Sequence, residues 1–175
     1  MLPIIYMDLV DASDLPAFEK LYEENKNIAF HRANKILNNT ALAEECVADV
    51  FLAIAKNFQN INKLNSYDQR KYIVTCCRNR ALNIIEKEKK HSEDIPYDDA
   101  ILTNANYTDL KDIELRDIAQ RLNPTDLDIL YWVGIQGIDY KTIAESYGIS
   151  YAAAKQRYWT AKNNLLKLLS EEGDK

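Results

Sequence analysis

Residues 144–169 read AESYGISYAAAKQRYWTAKNNLLKLL, and the reading of this stretch decides the fold. The chain has only four glycines, and one of them, Gly148, stands here, four residues after Ala144 and two before Ser150. Glycine takes the left-handed backbone that ends a helix sharply, and a serine just ahead of a helix caps its free N–H groups. A small alanine lets a second helix come close. Together these features predict a helix-turn-helix. The second helix, from Tyr151 to Leu169, would be roughly 28 Å long at 1.5 Å per residue. Its apolar stripe is Ala154, Tyr158, Ala161, Leu165 and Leu168, which leaves Tyr151, Lys155, Gln156, Arg157, Thr160 and Lys162 on the other side. Residues 151–169 carry Lys155, Arg157, Lys162 and Lys167 and no acid. Arg, Lys and Gln are the side chains that reach phosphates and base edges in a major groove. An antiparallel helix pair with a solvated basic face has the same pattern.

Upstream, helical periodicity dominates. Asn123-Pro124 marks a helix start, with Asn as cap, Pro at the first helical position and Asp126 in the first turn. That helix carries Leu127, Leu130 and Tyr131 and ends near Gly134 or Gly137; a short one follows from Tyr140 to Ser146, with Asp139 as its cap. In the N-terminal half, residues 15–37 place Phe18, Leu21, Tyr22, Ile28, Ala29 and Ile36 on one face. Residues 41–58 do the same with Ala43, Val47, Val50, Phe51, Ile54 and Phe58. The polar run NFQNINKLNSYDQ breaks this period and reads as a loop, and a third helix covers about 69–90 with Ile73, Cys76, Cys77, Ile84 and Ile85 inward. Residues 91–108 hold a proline, clustered acids and no period, as a linker does; DLKDIELRDIAQRL after it is helical again.

The net charge of −5 conceals strong local imbalance. Residues 61–91 hold eight bases against three acids, and residues 92–118 eight acids against two bases. Local charge sets the field that a nucleic acid meets at contact distance. Cys46, Cys76 and Cys77 form no disulfide or metal framework, and His31 and His91 stand alone. No phosphate loop or nucleophile motif is present, so neither an enzyme nor a bound cofactor or metal is expected. No apolar run approaches the roughly 18 residues of a membrane helix, and the acidic N-terminus is unlike a signal peptide; a cytoplasmic protein without membrane insertion is expected.

At this point the sequence resembles a known family. LNPTDLDILYWVGIQGIDYKTIAESYGISYAAAKQRYWTAKNNLLKLL looks like region 4 of the extracytoplasmic-function group of sigma-70 factors. FEKLYEENKNIAFHRANKILNNTALAEECVADVFLAIAKNF resembles region 2, with AEECVADVF as its core-binding helix, and RKYIVTCCRNRALNIIEKEKK resembles the basic helix that meets the −10 element. The chain departs from the common pattern at Ala48-Asp49 (often Gln-Glu), at Tyr72-Ile73 (often Trp-Leu), at Glu86 and Glu88, and over residues 139–142.

The resemblance implies an all-α chain of two small helical domains, region 2-like over 1–91 and region 4-like over 110–175, joined by an acidic linker over 92–109. It implies an alternative sigma factor, a specificity subunit that does no bond chemistry. Glu44, Glu45, Ala48, Asp49, Phe51 and Leu52 would dock on the largest-subunit clamp of core RNA polymerase, and the flap is a further contact. Asn60, Asn62, Lys63, Tyr67, Arg70, Lys71, Tyr72, Arg78, Asn79, Arg80 and Asn83 would hold the melted −10 element, which needs stacking surfaces and a basic track. Thr142, Ser150, Tyr151, Lys155, Gln156, Arg157 and Lys162 would engage the −35 element. Promoter DNA and an anti-sigma factor complete the expected partners. Two other classes fit the same residues: a helix-turn-helix regulator acting without polymerase, and a sigma-like adaptor that binds polymerase without opening promoters.

Overall fold

The computed structural model describes residues 2–89 and 121–173, and every regular element among them is helical. By their internal contacts the described residues form two compact units. The first takes 2–89 together with 141–149, and the second takes 121–140 with 150–173. The linker over 92–109, the sequence-based domain boundaries, His91 and most of the helix expected before Asn123 lie outside the described residues.

In the first unit, α1 (Ile4–Met7), α2 (Leu15–Leu37), α3 (Thr40–Lys56), α4 (Phe58–Ile61) and α5 (Ser66–Lys89) follow one another. Helices α2, α3 and α5 pack together around Phe18, Ala29, Val50, Phe51, Ile54 and Ile73, all wholly buried. Asn38 in the left-handed conformation (φ 47°) stops α2, and Asn39 then caps α3 by accepting from the Leu42 N–H at 3.1 Å. Tyr22 meets Phe51 edge-on at 4.9 Å, and Phe18 meets Phe58 the same way at 5.2 Å.

The expected apolar faces are largely inside, with two corrections. Ile28 is exposed, because in α2 the inward row runs through Asn25 and Ala29 instead. The loop expected over 57–69 contains α4 and the first turn of α5. Phe58 and Ile61 are both buried there, and their burial offsets the poor helix propensity of the asparagines around them. Helix α1 is an element that the periodicity did not suggest; Tyr6 anchors it between Phe18 and Tyr22, at 5.6 Å from each.

All three cysteines are free and buried, and burial pushes the thiols of Cys46 and Cys76 up to about 12 and that of Cys77 well above its ordinary value. The thiolate is the reactive form, and burial suppresses both its formation and its access. A disulfide reagent at pH 8 is therefore expected to react with the folded chain at least about tenfold more slowly than with the chain in denaturant. Rapid titration of even one thiol in the native state would contradict the packing of α3 on α5.

In the second unit, α6 (Pro124–Ile129) starts as the sequence implies, with the Asn123 side chain accepting from the Thr125 N–H at 2.8 Å. It runs on as a wide π-helical segment, Leu130–Ile135, that wholly buries Trp132 and ends before Gly137 at φ 70°. Helix α8 (Tyr151–Gly173) packs on both. The short helix α7 (Tyr140–Tyr147) has Lys141–Tyr147 in the first unit, and Tyr140 in the second lies against the rings of Tyr151 and Tyr158.

Candidate functional site

One stripe of α3 faces outward. Glu44, Glu45 and Ala48 are exposed, while Asp49 and Leu52 are half-buried at its edge. Residues four apart share a helix face, so Glu45 and Asp49 stand one above the other. Phe51 differs from the expectation: it is wholly buried against Tyr22, so its contribution is to hold α3 in place and not to touch a partner. The Tyr6 hydroxyl reaches the Ala48 carbonyl at 3.4 Å, which brings α1 beside the stripe.

The basic residues assigned to the −10 element separate into two groups. Asn62, Lys63, Tyr67 and Arg70 are exposed around the start of α5, with Asn60 and Lys71 half-buried. Arg70 also donates through Nε to Asn25 Oδ1 at 3.2 Å, which ties it to α2. Tyr72, Arg78, Asn79 and Asn83 are buried, contrary to their expected place on the surface that holds the −10 element. Arg78 donates to Asn79 Oδ1 at 3.3 Å and acts on Arg32 of α2; burial first, then this like charge, lowers the Arg32 pKa. Arg32 is a cation of this region that the sequence pattern did not single out.

Arg80 is half-buried between elements. It forms a 2.7 Å ion pair with Asp49 and donates to the Glu145 carbonyl at 3.0 Å. Asp49, expected to face polymerase, and Arg80, expected to face DNA, are thus partners of each other. A groove of about 210 Å³ runs past Glu45, Asp49, Arg80, Asn83, Lys87 and Gly148. Tyr72 is bonded to Ser146 at 2.8 Å, and its burial raises its pKa well above the ordinary value.

The turn expected after Ala144 is present. Gly148 has φ 71°, and a Cβ there would lie 3.2 Å from the Arg80 guanidinium, so both conformation and space favour glycine. Ser150 caps α8 by accepting from the Ala153 N–H at 3.1 Å. On α8, Ala154 and Ala161 are wholly buried, and Tyr151, Lys155 and Gln156 are exposed. Arg157 is half-buried, and its charge acts on Asp126, whose pKa is raised first by burial and pulled down by Asn164 and Arg157. Lys162 lies over the Trp159 ring at 5.1 Å. Thr142, expected at a phosphate, is wholly buried.

These features define a helical unit whose third helix carries an outward acidic stripe, followed by a long helix of mixed basic and polar character. The Sigma-70 region 2 family matches residues 21–91, the segment that spans α2 to α5. Over 156 residues the chain is 25% identical to the RNA polymerase sigma factor SigZ of Bacillus subtilis (strain 168), covering 87% of this chain and 84% of that one. Residues 21–91 thus carry the pattern of sigma-70 region 2, and the chain as a whole is similar to a sigma factor. No helix among the described residues is long and apolar enough to cross a membrane.

Proposed function

We propose that this chain is an alternative sigma factor that docks on core polymerase through Glu44, Glu45, Ala48 and Leu52 of α3, with Asp49 at the margin. The observation that carries the reading is the outward acidic stripe on α3, within a segment matching sigma-70 region 2. The clamp of the largest subunit is the proposed seat of that stripe, the flap that of the second unit, and an anti-sigma factor would compete for the same faces. Asn62, Lys63, Tyr67, Arg70 and Lys71, exposed or half-buried, form the proposed first contact with the −10 strand. Tyr67 supplies a stacking face, the cations follow the backbone, and asparagine both donates to and accepts from a base edge.

On α8 the exposed Lys155 and Gln156 are better placed to read −35 bases than Arg157, which shares the field of Asp126. Gln156 replaced by Ala is expected to cost about 1–3 kcal/mol at particular base pairs and to relax preference there. Lys162 replaced by Ala should weaken binding on all sequences alike and lower the salt slope by about one unit, as a phosphate contact does. Holoenzyme titrations on a panel of −35 variants at several salt concentrations separate the two; uniform loss from both would leave α8 without a base-reading role. The decisive test of the function is transcription in vitro with bacterial core polymerase on genomic fragments, with and without this protein. Discrete new start sites are expected. Core binding without transcripts would identify an adaptor, and tight sequence-specific DNA binding by the isolated chain would identify a regulator.

A further inference from the structure

Among the described residues, large apolar side chains in water gather at the start of the chain. Ile4, Ile5, Met7 and Leu9 are 77, 58, 48 and 37% exposed, all within one short stretch. Helix α1 is too short to form by itself. Leu2, Tyr6 and Val10, spaced four apart and all buried, hold it on the first unit. The turn after it is closed by the Leu9 and Val10 N–H groups, which both donate to the Tyr6 carbonyl at 3.2 Å. That inner row is all that folding requires. The outer row of Ile4, Ile5, Met7 and Leu9 stays in water, and apolar side chains gathered there mark a surface that a partner covers.

Position and charge together say which partner. The Tyr6 hydroxyl reaches the Ala48 carbonyl at 3.4 Å, and Ala48 is an exposed member of the outward stripe of α3. The charge of Asp49 also acts on Tyr6, whose pKa is pushed up to about 12 by burial first, then by Tyr22 and Asp49. The apolar row therefore adjoins the face that carries Glu44 and Glu45. The charges beside it are acidic as well. Asp8 and Asp11 are exposed, and Asp11 is fixed by accepting from Gln59 Nε2 at 3.0 Å. A second copy of the chain would bring like charges together, and an anionic lipid surface would do the same. We infer that α1 is the apolar half of the polymerase-docking face: the surface of core polymerase that presents basic side chains to α3 lays apolar side chains on Ile4, Ile5, Met7 and Leu9. This rests on the sigma-factor reading given above. An interface so built has an apolar part for affinity and a charged part for orientation and rate.

The test measures binding of the full chain to core polymerase over a range of salt concentrations. Ile4→Ser with Ile5→Ser removes the two most exposed apolar side chains of the row and leaves Leu2, Tyr6 and Val10 in place. Affinity should fall about tenfold or more, with the melting temperature close to that of the natural chain. Salt does not screen apolar contact, so this factor should hold as salt rises, whereas the loss from Glu44→Lys with Glu45→Lys should shrink. Ile4→Leu with Ile5→Leu should bind as the natural chain does. Natural affinity in the serine pair, or a loss that disappears with salt, overturns the inference. So does self-association of the natural chain that the serine pair abolishes while core binding is unchanged. Should the serine pair not fold, Met7→Ser with Leu9→Ser carries the measurement, with a smaller loss expected. The two readings fail differently: no binding of the natural chain to core removes both, and binding that ignores α1 removes only this one.

Discussion

Replacing Glu44 and Glu45 together by lysine is expected to remove the chain from core polymerase, lowering affinity about 100-fold or more, while helicity and melting temperature stay close to those of the natural chain. Both side chains are exposed on α3, so reversal disturbs no packing. Surface substitutions away from buried features change stability by about 0.5 kcal/mol or less. At an interface the same change replaces two attractions by two repulsions, which is why the effect on binding far exceeds the effect on folding. Asp49 is a poorer choice for this experiment. A lysine there would sit against Arg80 and break the ion pair that ties α3 to α5, so loss of binding would be confounded with local unfolding. Co-purification with core, compared at equal amounts of folded protein, decides the matter. Wild-type recovery of the double variant would show that the acidic stripe is only a solvated face.

The helical part of this fold is written locally, and local signals were legible. The repeat that puts Val47, Val50, Phe51 and Ile54 on one side of α3 is the repeat that buries them. Asn123, Gly148 and Ser150 act at the positions their chemistry implies, because a cap or a left-handed turn depends on a few neighbouring residues. The two four-residue helices, α1 and α4, were not legible. Helix α4 lies among asparagines that disfavour helix, and α1 has four residues; each exists because a buried side chain, Phe58 or Tyr6, fixes it to α2.

The candidate site was legible as a set of residues but not as an arrangement. Arg78, Asn79, Arg80 and Asn83 form a polar run on α5, and a polar run reads as surface. In the structure that run meets residues far along the chain: Arg80 meets Glu145, 65 positions away, and Asn83 meets Tyr147, 64 away. Nothing periodic links such pairs, and buried polar groups need partners that only tertiary structure supplies. The same reasoning explains Arg157. Its place on the helix was known from spacing, but its neighbour Asp126 belongs to α6 and could not be inferred from α8 alone.

Phe51 is the residue for which the family resemblance and the structure differ most usefully. The resemblance puts it on the face that docks on polymerase, while the helical period groups it with Val47, Val50 and Ile54 on the apolar side. Tyr22 reaches over from α2 and covers it, so that Phe51 has no exposed surface. Removing its ring leaves a cavity beside Tyr22, and Phe51→Ala is expected to cost about 3–5 kcal/mol of stability. Small domains have about 5–15 kcal/mol in all, so the variant should unfold at a much lower urea concentration with an unchanged slope. Phe51→Leu keeps most of the volume and should cost less than about 1.5 kcal/mol. The two roles of the position then separate cleanly. If Phe51 is a packing residue, the Leu variant binds core polymerase as the natural chain does, and the Ala variant loses binding only in proportion to its unfolded fraction. If Phe51→Ala instead remains as stable as the natural chain but no longer holds polymerase, then Phe51 turns outward in solution and α3 presents a different face from the one described.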